Sequence, residues 1–200
     1  QLEAGEAAVN AGAVDAGLEC LRRAVDEAEA ASARSLRLQA LIALGSALVH
    51  GARGRDEEGA AVLHEALVGA RADGDQAAAA RVCRELGFVD VQAGRRGRAE
   101  EWLAKAETLS DDNGELAAVL GYRGMNLSDM ARYRDALLSL HRSVDTALGV
   151  GNRRQAAWSA SLIGRIHLLR GELNQAAEAL EQSMALVAAE RWMAFAPWPE

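Results

Sequence analysis

The chain has 200 residues, of which 50% are hydrophobic, 4% aromatic and 26% charged, and its formal net charge is −7. This composition indicates a soluble globular protein with enough apolar material for a core, and it excludes a disordered or a membrane-spanning chain. Because acids outnumber the arginines and are interspersed with them, we expect no direct contact with nucleic acid and none with a membrane.

The distribution of proline predicts an all-α fold. The two prolines, Pro197 and Pro199, lie at the end of the chain, so no earlier position is barred from a helix by a missing N–H. The only lysine, Lys105, follows six residues without a glycine, which excludes a phosphate-binding loop of the Walker type. No nucleophile, zinc or dinucleotide motif is present, so we predict a protein that is not an enzyme and has no cofactor.

The cysteines and histidines do not indicate a metal site. Cys20 and Cys83 are far apart and lack a CxxC spacing, which fits a reducing cytoplasm. The histidines fall in four different predicted helices without a partner four residues away: His50, His64, His141 and His167. The chain begins with Gln1 rather than Met and has no signal-peptide pattern, so we expect a cytoplasmic piece of a longer protein.

One pattern of small residues and leucine recurs five times along the chain. A small residue is followed by a second small residue after 7 positions, a third after 5, a leucine after 4 and a fourth small residue after 3. The copies are Gly5, Gly12, Gly17, Leu21, Ala24; Ala47, Gly54, Gly59, Leu63, Ala66; Gly87, Gly94, Ala99, Leu103, Ala106; Gly124, Ala131, Ala136, Leu140, Ser143; and Gly164, Gly171, Ala176, Leu180, Ser183. The period of about 40 residues is typical of helical repeats.

Each copy predicts a hairpin of two closely packed helices. Small residues let the backbones approach, and the leucine fills the space between them. In chain order, the first helices are predicted near 2–11, 35–52, 76–93, 115–130 and 153–170, and the second helices near 14–31, 57–72, 96–109, 134–148 and 173–190. Glycine suits four of the five turns, whereas Ala131 is less suited to a left-handed turn position.

Polar residues mark the boundaries between repeats. Asp75 after Gly74 is typical of a helix N-cap, and Asn152 three residues before Gln155 resembles a capping box. Residues 110–114 mark a third break. The predicted repeats are 1–33, 34–73, 74–112, 113–151 and 152–190. Residues 191–200 read as the start of a truncated sixth repeat, whose aromatic residues either cap the fifth repeat or pack against further chain: Trp192, Phe195 and Trp198.

The offsets of this pattern resemble those of the tetratricopeptide repeat (TPR), most closely in the third copy with Gly87, Gly94, Ala99 and Ala106. The resemblance implies a right-handed α-solenoid over residues 1–190. Three features depart from that repeat: the period exceeds 34, the proline between repeats is absent, and the aromatic expected three residues after the first small position is replaced. The replacing residues are Ala8, His50, Asp90, Leu127 and His167.

The long, proline-free, lysine-poor repeats also resemble the helical-repeat region of ATP-binding transcriptional regulators of the LuxR or MalT type. In those bacterial proteins an ATPase domain precedes the repeats and a helix-turn-helix follows them. The resemblance implies a role in signal sensing or oligomerisation within such a regulator.

The TPR resemblance also implies a concave groove lined by positions six and three before, and one and five after, the first small residue. Together with nearby aromatic residues, this gives a candidate binding surface: Arg81, Arg84, Phe88, Gln92, Tyr122, Met125, Asp129, Trp158, Ser161 and Arg165. Arg84 and Arg165, beside Tyr122 and Trp158, suit a peptide that carries a carboxylate. The alternative is that these arginines only solvate the surface or pair with neighbouring acids.

Three functions are compatible with the sequence. The first is a module that binds a protein or peptide segment in its groove as part of a transcriptional regulator. The second is a free-standing scaffold or adaptor that forms homo-oligomers through the solenoid ends. The third is a small-molecule receptor using the same groove, for which the sequence shows no strong cluster of convergent groups.

Overall fold

The computed structural model describes residues 1–51 and 54–192, and within these ranges it contains ten α-helices and no β-strand. The helices are α1 Leu2–Asn10, α2 Val14–Ala30, α3 Arg34–Gly51, α4 Asp56–Asp73, α5 Gln76–Gln92, α6 Arg96–Leu109, α7 Asn113–Asp129, α8 Tyr133–Gly149, α9 Arg153–Leu169 and α10 Leu173–Ala189. The all-α prediction is confirmed, and each predicted boundary lies within two residues of the observed one. Most of the predicted sixth repeat, including Phe195 and Trp198, lies outside the described residues.

Local signals set the ends of these helices. Three side chains cap helices by accepting a hydrogen bond from the backbone N–H three residues later: Asp75 from Ala78, Asp112 from Glu115, and Asn152 from Gln155. The caps at Asp75 and Asn152 were predicted, and Asp112 lies in the predicted break. Gly94, after α5, has a φ of 72°, in the left-handed region that glycine adopts without steric cost. In the fourth hairpin Ala131 takes the same conformation with a φ of 57°, so the turn is retained without glycine.

The two helices of each hairpin pack through a leucine that lies over a glycine. A Cβ added to Gly87 would lie 2.7 Å from Cγ of Leu103, which shows that the leucine occupies the space the glycine leaves open. The same contact recurs in every repeat: Gly5 with Leu21, Gly45 with Leu63, Gly124 with Leu140, and Gly164 with Leu180. The five hairpins therefore share one packing contact.

The second repeat corrects the predicted alignment, in which Ala47 was the first small residue. Gly45, not Ala47, faces Leu63, at 2.6 Å from its Cγ to an added Cβ. Ala47 is also small and buried, so the small-residue pattern cannot distinguish the two positions. Helix α3 therefore has two more residues between its packing glycine and the turn, and His50 does not share a repeat position with His167.

The predicted small position Ala99 is fully buried beside Val91 and Leu103. We expect Ala99→Leu to lower the free energy of unfolding by about 1–3 kcal/mol, because a larger side chain must separate helices that are already in contact. Thermal or urea unfolding measures this loss. Ala61→Leu, on an exposed position of α4, is the matched control and should change stability little. Equal stability of both variants would contradict the burial of Ala99.

The ten helices form two layers of a solenoid. Each helix packs against the next one in the chain, and the first helices also contact one another in the series α1, α3, α5, α7 and α9. In the described residues the second helices make no comparable direct backbone contacts with one another. Because the first helices lie closer together, they form the inner, concave layer.

Candidate functional site

A groove of about 1000 Å³ runs along the concave layer of the first three repeats. Four residues of α3 line it: Gln39, Ile42, Ser46 and His50. In the corrected alignment they lie six and three positions before, and one and five positions after, the packing glycine Gly45. The same positions of the first repeat contribute Leu2, Glu6 and Asn10. The groove is thus formed by equivalent positions of consecutive helices.

Three of the ten predicted site residues line this groove, and the other seven do not. Arg81, Arg84 and Tyr122 line the groove. Phe88 and Trp158 extend from it as part of an aromatic row described below, and Met125 packs partly buried against the core around Leu103. The remaining four do not line the groove: Gln92, Asp129, Ser161 and Arg165.

Arg84 lies in an ion-pair network at the wall of the groove. Its Nη1 lies 2.8 Å from Oε1 of Glu85, and its Nε donates a hydrogen bond of 2.6 Å to Oε1 of Glu115. His50 lies 2.7 Å from the other carboxylate oxygen of Glu85. The side chains of Arg84 and Glu85 are only 15% and 4% exposed. Arg84 is therefore already paired with two carboxylates, which matches the alternative in which these arginines pair with neighbouring acids.

Burial and neighbouring charges shift the pKa values of Arg84 and Glu85 in opposite directions. Burial by itself would raise the pKa of Glu85, but the positive charge of Arg84 and the hydrogen bond from His50 outweigh it and hold the pKa well below its ordinary value. Burial also opposes the charge on Arg84, yet Glu85 and Glu115 raise its pKa further. Both side chains are therefore charged at neutral pH.

Four aromatic rings form a row across the inner layer. His50 stacks on Phe88 with ring centroids 4.6 Å apart, and Phe88 stacks on Tyr122 at 4.7 Å. Trp158 meets Tyr122 edge-on at 5.2 Å. The guanidinium carbon of Arg84 lies 5.7 Å from the centroid of the Tyr122 ring, a cation–π contact. Burial and the nearby negative charge of Glu85 raise the pKa of Tyr122, so its phenol is protonated at neutral pH.

Gly121 has no side chain and therefore leaves space for Trp158 at the end of this row. Gly121 occupies the position three before the packing glycine of the fourth repeat, where a Cβ would lie 2.7 Å from the Trp158 ring and 2.6 Å from the amide nitrogen of Gln155. Trp158 therefore fills the inner surface at this level. The groove is lined by the first three repeats and by Tyr122 of the fourth.

Arg165 lies further along the solenoid in a separate ion-pair cluster. Its Nη2 donates a hydrogen bond of 2.8 Å to Asp129, which also lies 3.1 Å from Arg96. Arg84 lines the groove, whereas Arg165 does not line it and belongs to a different ion-pair cluster. Ser161 is buried and donates to the backbone carbonyl of Trp158.

Sequence reasoning missed the first two repeats, which contribute most of the groove. Leu2, Glu3, Glu6, Ile42 and His50 all line it. Alignment of the second repeat on Gly45 would have placed Ile42 and His50 among the groove positions. With Ala47 as the reference, the same offsets fall on residues that are buried in the core: Leu41, Leu44 and Leu48.

Three arginines at the turn between α5 and α6, which could form a basic patch, are all paired. The arginines of the third turn pair with acids: Arg95 and Arg98 with Asp90, and Arg96 with Asp129. Over residues 1–51 and 54–192 there is no group of three or more histidine, cysteine or acidic side chains that could hold a metal ion. None of the helices in the same ranges combines the length and apolar character that a bilayer crossing requires.

Comparison with known proteins identifies the architecture. The chain superposes on BtubC (BKLC) from P. vanneervenii with a TM-score of 0.70 and 16% identity, over 87% of this chain and 73% of that one. It superposes on a Podosopora anserina protein with nearly identical TPR-like repeats with a TM-score of 0.67 and 20% identity, over 96% and 94% of the two chains. The fold is a TPR-like α-solenoid.

A third similar structure is MamA of MSR-1, with a TM-score of 0.53, 18% identity and coverage of 94% of this chain and 95% of that one. At these identities the likeness is one of fold. The sequence matches no protein-family model, and it has no significant match among curated proteins. The TPR-like architecture predicted from the repeat offsets is thus confirmed by the structural comparison.

Proposed function

We propose that this chain is a non-enzymatic helical-repeat module that binds a segment of a partner protein in its concave groove. The observation that carries the proposal is the open groove of about 1000 Å³, lined by equivalent positions of three consecutive first helices. Its length along the solenoid suits an extended or helical segment better than a compact small molecule, which binds in more enclosed pockets.

A display library of random peptides, selected on the immobilised full chain, tests this proposal. We expect selected peptides to bind Ser46→Trp at least tenfold more weakly, because Ser46 lies in the groove and an indole there occupies the space of the ligand. Val68→Trp is the matched control, since Val68 belongs to the same repeat but is exposed on α4, away from the groove. Equal binding by wild type and both variants would contradict the proposal.

We further propose that the module belongs to a larger bacterial transcriptional regulator of the LuxR or MalT type and acts there in the cytoplasm. Support comes from the repeat length of about 40 residues and the scarcity of lysine and proline. The sequence of the complete gene tests it, because such a regulator has an ATPase domain before the repeats and a helix-turn-helix after them.

A free-standing scaffold that forms homo-oligomers is the alternative role. Three exposed leucines around the turn between α9 and α10 favour it, since they offer apolar surface to a second copy: Leu168, Leu169 and Leu173. Sedimentation equilibrium over a range of concentrations distinguishes a monomer from an oligomer.

A further inference from the structure

The side chains that line the groove carry an excess of negative charge. Four carboxylates and two guanidinium groups lie on its surface: Glu3, Glu6, Asp75 and Glu85 against Arg81 and Arg84. Arg84 and Glu85 pair with each other within the wall, which leaves Glu3, Glu6 and Asp75 against Arg81. Arg81 is thus the only cation of the described lining whose charge is not compensated by a close ion pair.

The uncompensated carboxylates lie together on α1. Glu3 and Glu6 are exposed, and they are three residues apart, so they lie on the same side of the helix. Neither makes an ion pair with another described residue. This end of the groove therefore presents two carboxylates to whatever occupies it.

An apolar floor lies beside these carboxylates. Leu2, Val9 and Ile42 line the groove and are only partly buried, so part of their apolar surface still faces water. A ligand side chain placed there would bury that surface and gain hydrophobic free energy. The combination of an apolar floor and an acidic rim complements a ligand that is apolar on one side and positively charged on the other.

We propose that the groove binds an amphipathic, basic segment of a partner protein, with lysine or arginine side chains beside Glu3 and Glu6 and apolar side chains on the floor formed by Leu2, Val9 and Ile42. This inference rests on the function proposed above and adds the chemical class of the ligand. It reverses the charge expected from the sequence, because the arginine predicted to bind a carboxylate is already neutralised.

The composition of the peptides selected on the wild-type chain tests the inference. Among peptides whose binding Ser46→Trp abolishes, we expect lysine and arginine to be enriched over aspartate and glutamate relative to the unselected library. A representative basic peptide should bind the double variant Glu3→Gln/Glu6→Gln about three- to tenfold more weakly at low ionic strength, and the difference should shrink as salt is added.

The double variant Glu178→Gln/Glu181→Gln is the matched control. It makes the same change of charge at the same spacing on exposed positions of α10, outside the groove. Affinity for the basic peptide should stay within twofold of wild type. Circular dichroism of both double variants checks that helix content is unchanged.

Each outcome of the selection either supports or overturns the inference. Basic peptides that lose affinity only in the Glu3/Glu6 variant support the inference. Acidic or neutral peptides that still depend on Ser46 overturn it and leave the groove function intact. If no selected peptide depends on Ser46, the proposed function fails, and the inference fails with it.

Discussion

Leu140→Ala is expected to lower the free energy of unfolding by about 2–5 kcal/mol. Leu140 is fully buried and occupies the space above Gly124, where a Cβ would collide with it. Alanine at position 140 would leave a cavity between α7 and α8, and the helices cannot close it without losing their contacts with the neighbouring repeats. Urea denaturation followed by circular dichroism measures the effect.

Leu138→Ala is the control for this prediction. Leu138 lies on the same helix, two residues earlier, but is 65% exposed, so its truncation should cost less than about 0.5 kcal/mol. Similar losses in the two variants would mean that Leu140 does not fill the hairpin, and the glycine–leucine contact would not be the unit of the repeat.

Glu85→Gln is expected to lower the free energy of unfolding by about 3 kcal/mol at pH 7. Glutamine keeps the size of the side chain but removes the charge that faces Arg84, and a buried guanidinium then retains only Glu115 as a close acidic partner. Arg165→Gln provides the comparison, because Arg165 is 48% exposed in its pair with Asp129 and its loss should cost less than about 1 kcal/mol. Equal losses would show that the Arg84 network has no special role in stability.

The same network predicts a pH dependence. Because the folded-state pKa of Glu85 is depressed, the folded protein binds fewer protons at this site than the unfolded chain, and the site stabilises the fold above the unfolded pKa. That stabilisation is lost as the pH falls from about 4.3, the usual value for glutamate, through the folded pKa. The difference in stability between wild type and Glu85→Gln should therefore be largest near pH 7 and shrink below about pH 4.

Much of the fold follows from local signals in the sequence. Residues such as Gly94, Asp75 and Asn152 end or begin helices by backbone geometry and capping, which depend only on near neighbours. Such local signals do not determine the alignment of the second repeat. Gly45 and Ala47 are both small and both lie in a helix, and only the position of Leu63 on the facing helix distinguishes them.

The site was harder to predict because its charges pair across repeats. Arg84 and Glu115 are 31 residues apart in sequence, and Arg165 and Asp129 are 36 apart. The repeat offsets place such residues on the inner layer, but they do not reveal which guanidinium is neutralised there. Trp158 similarly fills the inner surface only because Gly121 lies opposite it.

The chain contains three isoleucines, which allow a direct test of groove binding. Ile42 lines the groove, whereas Ile163 and Ile166 are buried in the core of the last two repeats. In a sample labelled at isoleucine δ1-methyl groups, titration with a peptide selected on the wild-type chain should shift the NMR signal of Ile42 and leave those of Ile163 and Ile166 in place. A peptide that binds by calorimetry while the Ile42 signal stays unchanged would contradict the account, because its site would then lie outside the groove.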